Sequence, residues 1–217
     1  MNHKKRTFTR GIWIPLVLLA GSVSAGPVFF DTGVDDSRAI LPDGAIDAHY
    51  SLIALGAPAN AIATSSDPVW WVAPPAGSKW IGPSLSSQSD PAGEYIYTFE
   101  FTLADGDIGA SATLSGLWAA DNTSEIWLNG IFTGYDDGFL DALKAFDITN
   151  GFVIGVNTLE FKVENWPQAR NNPSALLVSG LTFTNDPAIP AVPAPAGIVL
   201  GAIGAGLAGL LRRRRAL

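Results

Sequence analysis

The sequence predicts an all-β fold, an antiparallel β-sandwich of jelly-roll type, flanked by an N-terminal signal peptide and a C-terminal transmembrane helix. Three observations carry the prediction. Tyr95, Tyr97, Phe99, Phe101 and Leu103 alternate with Ile96, Thr98, Glu100 and Thr102, the period of a half-buried strand. Asn129-Gly130 sits between two apolar runs, the strongest short-range signal for a hairpin. Between the two chain ends, helical periodicity is confined to one short segment, and the chain's 23 glycines and 15 prolines supply turns.

The elements follow in chain order. Tyr50–Leu55 and Val69–Val72 are short apolar runs consistent with strands. Tyr95–Leu103 is the clearest strand. In Ser111–Ala120 the apolar positions Ala112 and Leu114 give way to Leu117 and Ala119, a phase slip that predicts a bulge at Ser115-Gly116. Glu125–Leu128 and Ile131–Thr133 are the arms of the hairpin. Gly138–Ala145 has the spacing of a helical turn or two. Thr158–Glu164 places Leu159, Phe161 and Val163 on one face, and Ala175–Val178 with Leu181–Phe183 reads as a last strand.

Both ends direct the chain to a membrane. Lys4, Lys5, Arg6 and Arg10 form a basic start, Gly11–Ala20 is apolar apart from its sequence-breaking Pro15, and Val23-Ser24-Ala25 supplies small residues at a cleavage boundary. This is the pattern of a secretory signal peptide over residues 1–25. At the other end, a proline- and alanine-rich linker over residues 187–195 leads to the apolar run Ala196–Leu211 and then Arg212, Arg213, Arg214 and Arg215. An apolar helix followed by cations inserts and stops with the cations on the cytoplasmic side. Ala196–Leu211 is shorter than the roughly 20 residues a bilayer core needs. Gly197 and Gly201 have the spacing that lets membrane helices approach closely, although one such match does not specify pairing.

The motif Val192-Pro193-Ala194-Pro195, the short apolar helix and the terminal arginines together resemble the PEP-CTERM sorting signal of Gram-negative bacteria, here over residues 192–217. The sequence departs from it at Ala194, where the family has glutamate. The resemblance implies export, insertion into the inner membrane, and processing by an exosortase-type transpeptidase. The destination implied is the cell surface or extracellular matrix.

Composition then bounds what the exported domain, residues 27–186, does. Eight of the 13 basic residues lie in the two ends, which leaves five against all 20 acidic residues, a net charge of −15. So anionic a domain is unsuited to nucleic acid, whose affinity is built from lysine and arginine contacts to phosphate. Without cysteine there is neither a disulfide nor thiol chemistry, so stability rests on the core.

Candidate sites are few. His49 is the one histidine outside the signal peptide, which excludes a histidine-rich zinc centre and a Cys/His nucleophile pair. No Gly-x-Ser-x-Gly elbow accompanies it. Asp31, Asp35, Asp36, Asp43 and Asp47 crowd the start of the domain, and carboxylate oxygens on loops suit calcium, although the spacing is not that of an EF-hand. A solvated acidic loop is the plainer reading. Twenty acids make chance carboxylate pairs inevitable, so a glycosidase pair is not specified.

Six tryptophans fall in this domain. Trp118 and Trp127 lie in strand patterns and are assigned to structure. Trp70 and Trp71 are adjacent, so on a strand they face opposite ways. Trp166, in Asn165-Trp166-Pro167, and Trp71 are the candidates for stacking on a sugar ring.

One further resemblance covers roughly Asp31 to Phe183. Trp118-Ala119-Ala120-Asp121-Asn122, then Leu128-Asn129-Gly130, then Gly155-Val156-Asn157-Thr158-Leu159 resemble bacterial exported domains with galactose-binding-like jelly rolls. Ser78-Lys79-Trp80-Ile81 before Tyr95–Phe101 fits the same layout. The motifs look like scaffold, and the resemblance implies a binding or adhesive module. The reading is a non-catalytic, surface-anchored or matrix-associated protein that binds extracellular polysaccharide. The competing readings are a polysaccharide-active enzyme using carboxylates and a purely structural envelope protein.

Overall fold

The computed structural model describes residues 26–64, 70–85, 89–136, 138–168 and 172–185. The signal peptide, the sorting motif, the apolar helix and the arginine cluster lie outside the described residues. Within them the chain is all-β and antiparallel, with no helix.

Eleven strands are present among the described residues: β1 (Ile46–Ala54), β2 (Ala57–Ala63), β3 (Ile81–Gly82), β4 (Gly93–Leu103), β5 (Thr113–Asp121), β6 (Thr123–Leu128), β7 (Ile131–Phe132), β8 (Gly138–Phe139), β9 (Lys144–Ile148), β10 (Gly155–Asn165) and β11 (Ala175–Thr184). Their hydrogen-bonded order is β7-β6-β10-β4-β1-β2-β3-β11-β5-β9, with β8 also on β6. The path folds over on itself at the short β2–β3–β11 pairings. It thereby brings β11, β5 and β9 face to face with β6, β10, β4 and β1, the layering of a sandwich. Trp118 of β5 lies 6.1 Å from Phe161 of β10 between ring centroids, and Phe146 of β9 lies 6.2 Å from the same ring.

The core follows from the alternation. Tyr95, Tyr97, Phe99, Phe101 and Leu103 of β4 are all buried, while Glu100 and Thr102 face out. Leu159, Phe161 and Val163 of β10 stand beside them and are fully buried. Each such side chain contributes about 1.5–3 kcal/mol on burial. On the far edge, Tyr135 closes the two layers. Its hydroxyl donates to the Asp147 carbonyl at 3.0 Å and accepts from the Asp147 N–H at 2.9 Å.

The Asn129-Gly130 hairpin is present, with φ of 52° and 75°, the paired positive values of a type I′ turn. The two scaffold motifs also meet. Asn129 Nδ2 donates to Asn157 Oδ1 at 2.9 Å, and Asn129 Oδ1 accepts from the Thr158 N–H at 2.9 Å.

Three expectations are corrected. The bulge is on β11 rather than β5. Leu114, Gly116, Trp118 and Ala120 keep one inward phase, and Leu117 is exposed. Opposite Gly116, β11 fits both Gly180 and Leu181 between its pairings Ser179↔Leu117 and Thr182↔Ser115, with Gly180 at φ 66°. Gly138–Ala145 is not helical: it holds β8, a turn and the start of β9. Residues 70–72 form a turn rather than a strand, while β2, with its sequence Ala-Pro-Ala-Asn-Ala-Ile-Ala, was not anticipated.

Candidate functional site

The site worth building is the end of the sandwich where β10 stops. Pro167 cannot continue the strand's hydrogen bonding, so the chain leaves the sheet after Asn165 and throws Trp166 outward, 46% exposed. Its backbone stays anchored. The Trp166 N–H donates to Asn122 Oδ1 at 2.7 Å, and the Asn122 N–H donates to the Glu164 carbonyl at 3.2 Å. The indole leans on Phe139 of β8 with ring centroids 6.0 Å apart.

The Trp70–Val72 turn is tied to the residue that follows β8, the Val72 N–H donating to the Leu140 carbonyl at 2.7 Å. Trp70 is 49% exposed there. Trp71, the second stacking candidate, is instead buried. Its ring packs 4.5 Å from that of Trp80, and its Nε1 donates to Asp121 Oδ2 at 2.8 Å. Of the adjacent pair it is therefore Trp70 that faces solvent, a correction the sequence could not supply because Asp121 lies 50 positions away.

Where β10 runs between β4 and β6, a shallow groove of about 340 Å³ is lined by Glu94, Thr123, Glu125, Asp136, Lys162 and Glu164 among others, the last of them two residues before Trp166. Lys162 Nζ sits 3.7 Å over the ring of Trp127 and borders Glu160. The groove offers hydrogen-bonding groups of both kinds, and Trp166, two residues past Glu164, offers an exposed aromatic face, the two elements a polyhydroxylated ring requires.

Beneath the aromatic residues lies a buried polar layer that the sequence reading missed. Asp121 accepts from Trp71 Nε1 and, at 2.6 Å, from Asn122 Nδ2. Burial pushes its carboxyl up to about 6, with the nearby Asp90 charge adding to the rise against the lowering effect of the two hydrogen bonds. Asp90 accepts from Ser84 Oγ at 2.9 Å and from the Ser174 N–H at 3.0 Å. Burial raises its carboxyl as well. Asn165 and Asn172 both donate through Nδ2 to the Asp90 carbonyl, at 3.2 and 3.1 Å. The one signal in the sequence was the Asp121-Asn122 motif.

The five aspartates at the domain start are not brought together. Asp47 is buried and accepts from the Gly33 N–H at 2.7 Å and the His49 N–H at 2.9 Å, and burial raises its carboxyl. Asp36 pairs with His49 Nε2 at 3.0 Å, and the imidazole stacks on Phe30. Asp35 closes its own turn through Ser37 and the Ala39 N–H, and the Ser37 hydroxyl leads the bonds that hold its carboxyl low. Asp43 pairs with Lys79, and Asp31 accepts from the Leu181 N–H at 2.9 Å. Asp36 and Asp47 meet only through His49, and Asp31, Asp35 and Asp43 are each engaged elsewhere. Among the described residues no three acidic or histidine side chains form a group that could hold a metal ion.

No protein-family model matches the chain, and no curated protein matches it. Among solved structures the chain is similar to the Podospora anserina GH26-CBM35 β-(1,4)-mannanase, at 16% identity with a TM-score of 0.29. The alignment covers 75% of this chain and 29% of that one.

Proposed function

We propose that this is an exported, non-catalytic binding module of jelly-roll, galactose-binding-like type that holds extracellular polysaccharide against Trp166. The observation that carries the reading is the anchored, half-exposed indole of Trp166, which leaves β10 two residues after Glu164 of the polar groove. A stacking platform gains most when its backbone is already fixed, because less entropy is lost on binding. Asn122 supplies that fixation here. Phe139 supports the ring from one side.

The non-catalytic reading draws support from Asp121 and Asp90, the two carboxylates with raised pKa at this end, which are withdrawn from the surface, while Glu94, Glu125, Asp136 and Glu164 line the groove and are what an enzyme would have to use. Asp121 and Asp90 are 1% and 6% exposed, and each is engaged by neutral donors. An acid or nucleophile has to reach the glycosidic oxygen or the anomeric carbon. On a glycan array, the protein is expected to retain a polysaccharide class without releasing reducing ends. Release of reducing ends would move the assignment to an enzyme, and an array with no signal would leave a structural envelope role.

The same proposal places the protein at the cell surface or matrix of a Gram-negative bacterium, delivered by its signal peptide and sorted by an exosortase-type enzyme through Val192–Pro195, the apolar helix and Arg212–Arg215. Intact-mass measurement of the secreted form is expected to show cleavage after Ala25 and loss of the arginine cluster. Replacing Arg212–Arg215 by alanine is expected to abolish the C-terminal cut. A secreted form that keeps its arginines contradicts the sorting reading.

A further inference from the structure

We propose that the buried polar layer around Asp90 and Asp121 is a site for a hard divalent cation of the calcium class, with oxygen ligands drawn from Asp90, Asp121, Asn165, Asn172 and Ser174. The site is separate from the Asp31–Asp47 stretch and does not depend on the glycan reading.

The first argument is charge. Two carboxylates lie in one buried layer, and among the described residues neither is paired with a lysine, arginine or histidine. Every hydrogen bond they accept comes from a neutral donor: an indole, an amide, a hydroxyl and a backbone N–H. Buried ionised carboxylates call for a positive partner or a metal.

The second argument is independent of the first. Asn165 Oδ1, Asn172 Oδ1 and Ser174 Oγ are buried and make no hydrogen bond, although their residues are 0%, 6% and 0% exposed. The two amides cannot be relieved by turning over. Both nitrogens already donate to the Asp90 carbonyl, and Asn165 Nδ2 also donates to that of Pro91, so a flip would set oxygen against oxygen. Ser174 is tied into the same place, because its N–H holds Asp90 Oδ2. Three unsatisfied buried acceptors on residues that all bond Asp90 are lone pairs in want of a ligand.

The donor set selects the ion. Carboxylate, amide and hydroxyl oxygens without thiolate or imidazole match calcium, which accepts six to eight oxygens in flexible geometry. Zinc and copper favour nitrogen and sulfur. The topology explains the assembly. Asp121 ends β5 opposite Ala175 of β11, Ser174 precedes that residue, and the Asp90 N–H binds the Asn172 carbonyl at 2.7 Å. A cation there would tie four chain segments together, including the end of β10 that presents Trp166.

The test uses the purified protein stripped with chelator and returned to buffer, with calcium alone as the probe. Equilibrium dialysis of the unmodified protein is expected to give one bound calcium per chain. At calcium a hundredfold above Kd, Tm is expected to rise by roughly 5–10 °C. Asp90→Asn and Ser174→Ala are expected to weaken binding at least tenfold, while Asp35→Asn with Asp36→Asn leaves it unchanged. Ser174→Ala changes one hydroxyl, so it keeps the comparison informative if Asp90→Asn fails to fold. No calcium bound by the unmodified protein would overturn the proposal, since waters would then fill the layer. Binding that survives Ser174→Ala and Asp90→Asn, or that is lost with Asp35 and Asp36, would overturn it as well.

Discussion

Trp118→Ala is expected to lower the unfolding free energy by about 3–5 kcal/mol, the range for deleting a buried indole from a packed core. Trp118 is completely buried between the layers, against Phe161 on one side and the β8 backbone on the other. A Cβ placed on Gly138 would clash with the indole, and Gly138 has no side chain that could move in to fill the space. Domains of this size are stable by about 5–15 kcal/mol, so the loss takes a large share of the total. Trp118→Phe should cost less than half as much, about 1–2 kcal/mol, because Nε1 has no hydrogen-bond partner to lose. Urea denaturation of the two variants checks the order. Equal losses would mean that the indole nitrogen, and not its volume, is what the core needs.

Asn157→Ala is expected to cost about 2–4 kcal/mol, through unsatisfied groups rather than a cavity. Asn157 is fully buried at the start of β10. Its Nδ2 donates to the Val153 and Gly155 carbonyls at 2.8 and 3.1 Å, and its Oδ1 accepts from the Val153 N–H and Asn129 Nδ2, both at 2.9 Å. One side chain therefore winds the loop before β10 and locks it to the β6–β7 turn. Asn157→Asp should be at least as damaging, since a carboxylate cannot donate and would face two carbonyl oxygens. Urea melts measure the loss, and amide exchange over residues 151–157 should accelerate in both variants. A neutral Asn157→Asp would contradict this account of the motif.

The sequence revealed most where one strand buries one face. β4 and β10 could be read directly because aromatic and aliphatic residues alternate with polar ones along their length. The type I′ turn was equally plain, since Asn129 and Gly130 both tolerate positive φ. β2 was hidden because alanine, proline and asparagine carry little strand preference. It exists through its pairing with β1 across a turn in which Leu55 adopts φ 51°, a conformation leucine rarely signals. Gly138–Ala145 holds Leu140 and Leu143, three positions apart, a spacing that a helix and an irregular turn share. Both pack against the Trp71–Trp80 cluster from an irregular turn.

The candidate site was legible in part for the same kind of reason. Trp166 was exposed by a local cause, the proline behind it. Which of Trp70 and Trp71 entered the core depended on Asp121, a partner distant in sequence. The Asp31–Asp47 stretch looked like a cluster because its members are close along the chain. In the fold Asp36 and Asp47 share His49, and the other three are drawn to separate N–H groups or to Lys79. The acids that do share a layer, Asp90 and Asp121, are 31 positions apart and gave no pattern to follow.

The central claim is that Trp166 is the platform of a polysaccharide-binding, non-catalytic face. Isothermal titration of the best-retained polysaccharide against the unmodified protein and Trp166→Ala tests it most directly. The account predicts at least a tenfold loss of affinity for the variant, about 1.4 kcal/mol, with Tm unchanged and no reducing ends released by either protein. Equal affinities, or turnover by the unmodified protein, would contradict it.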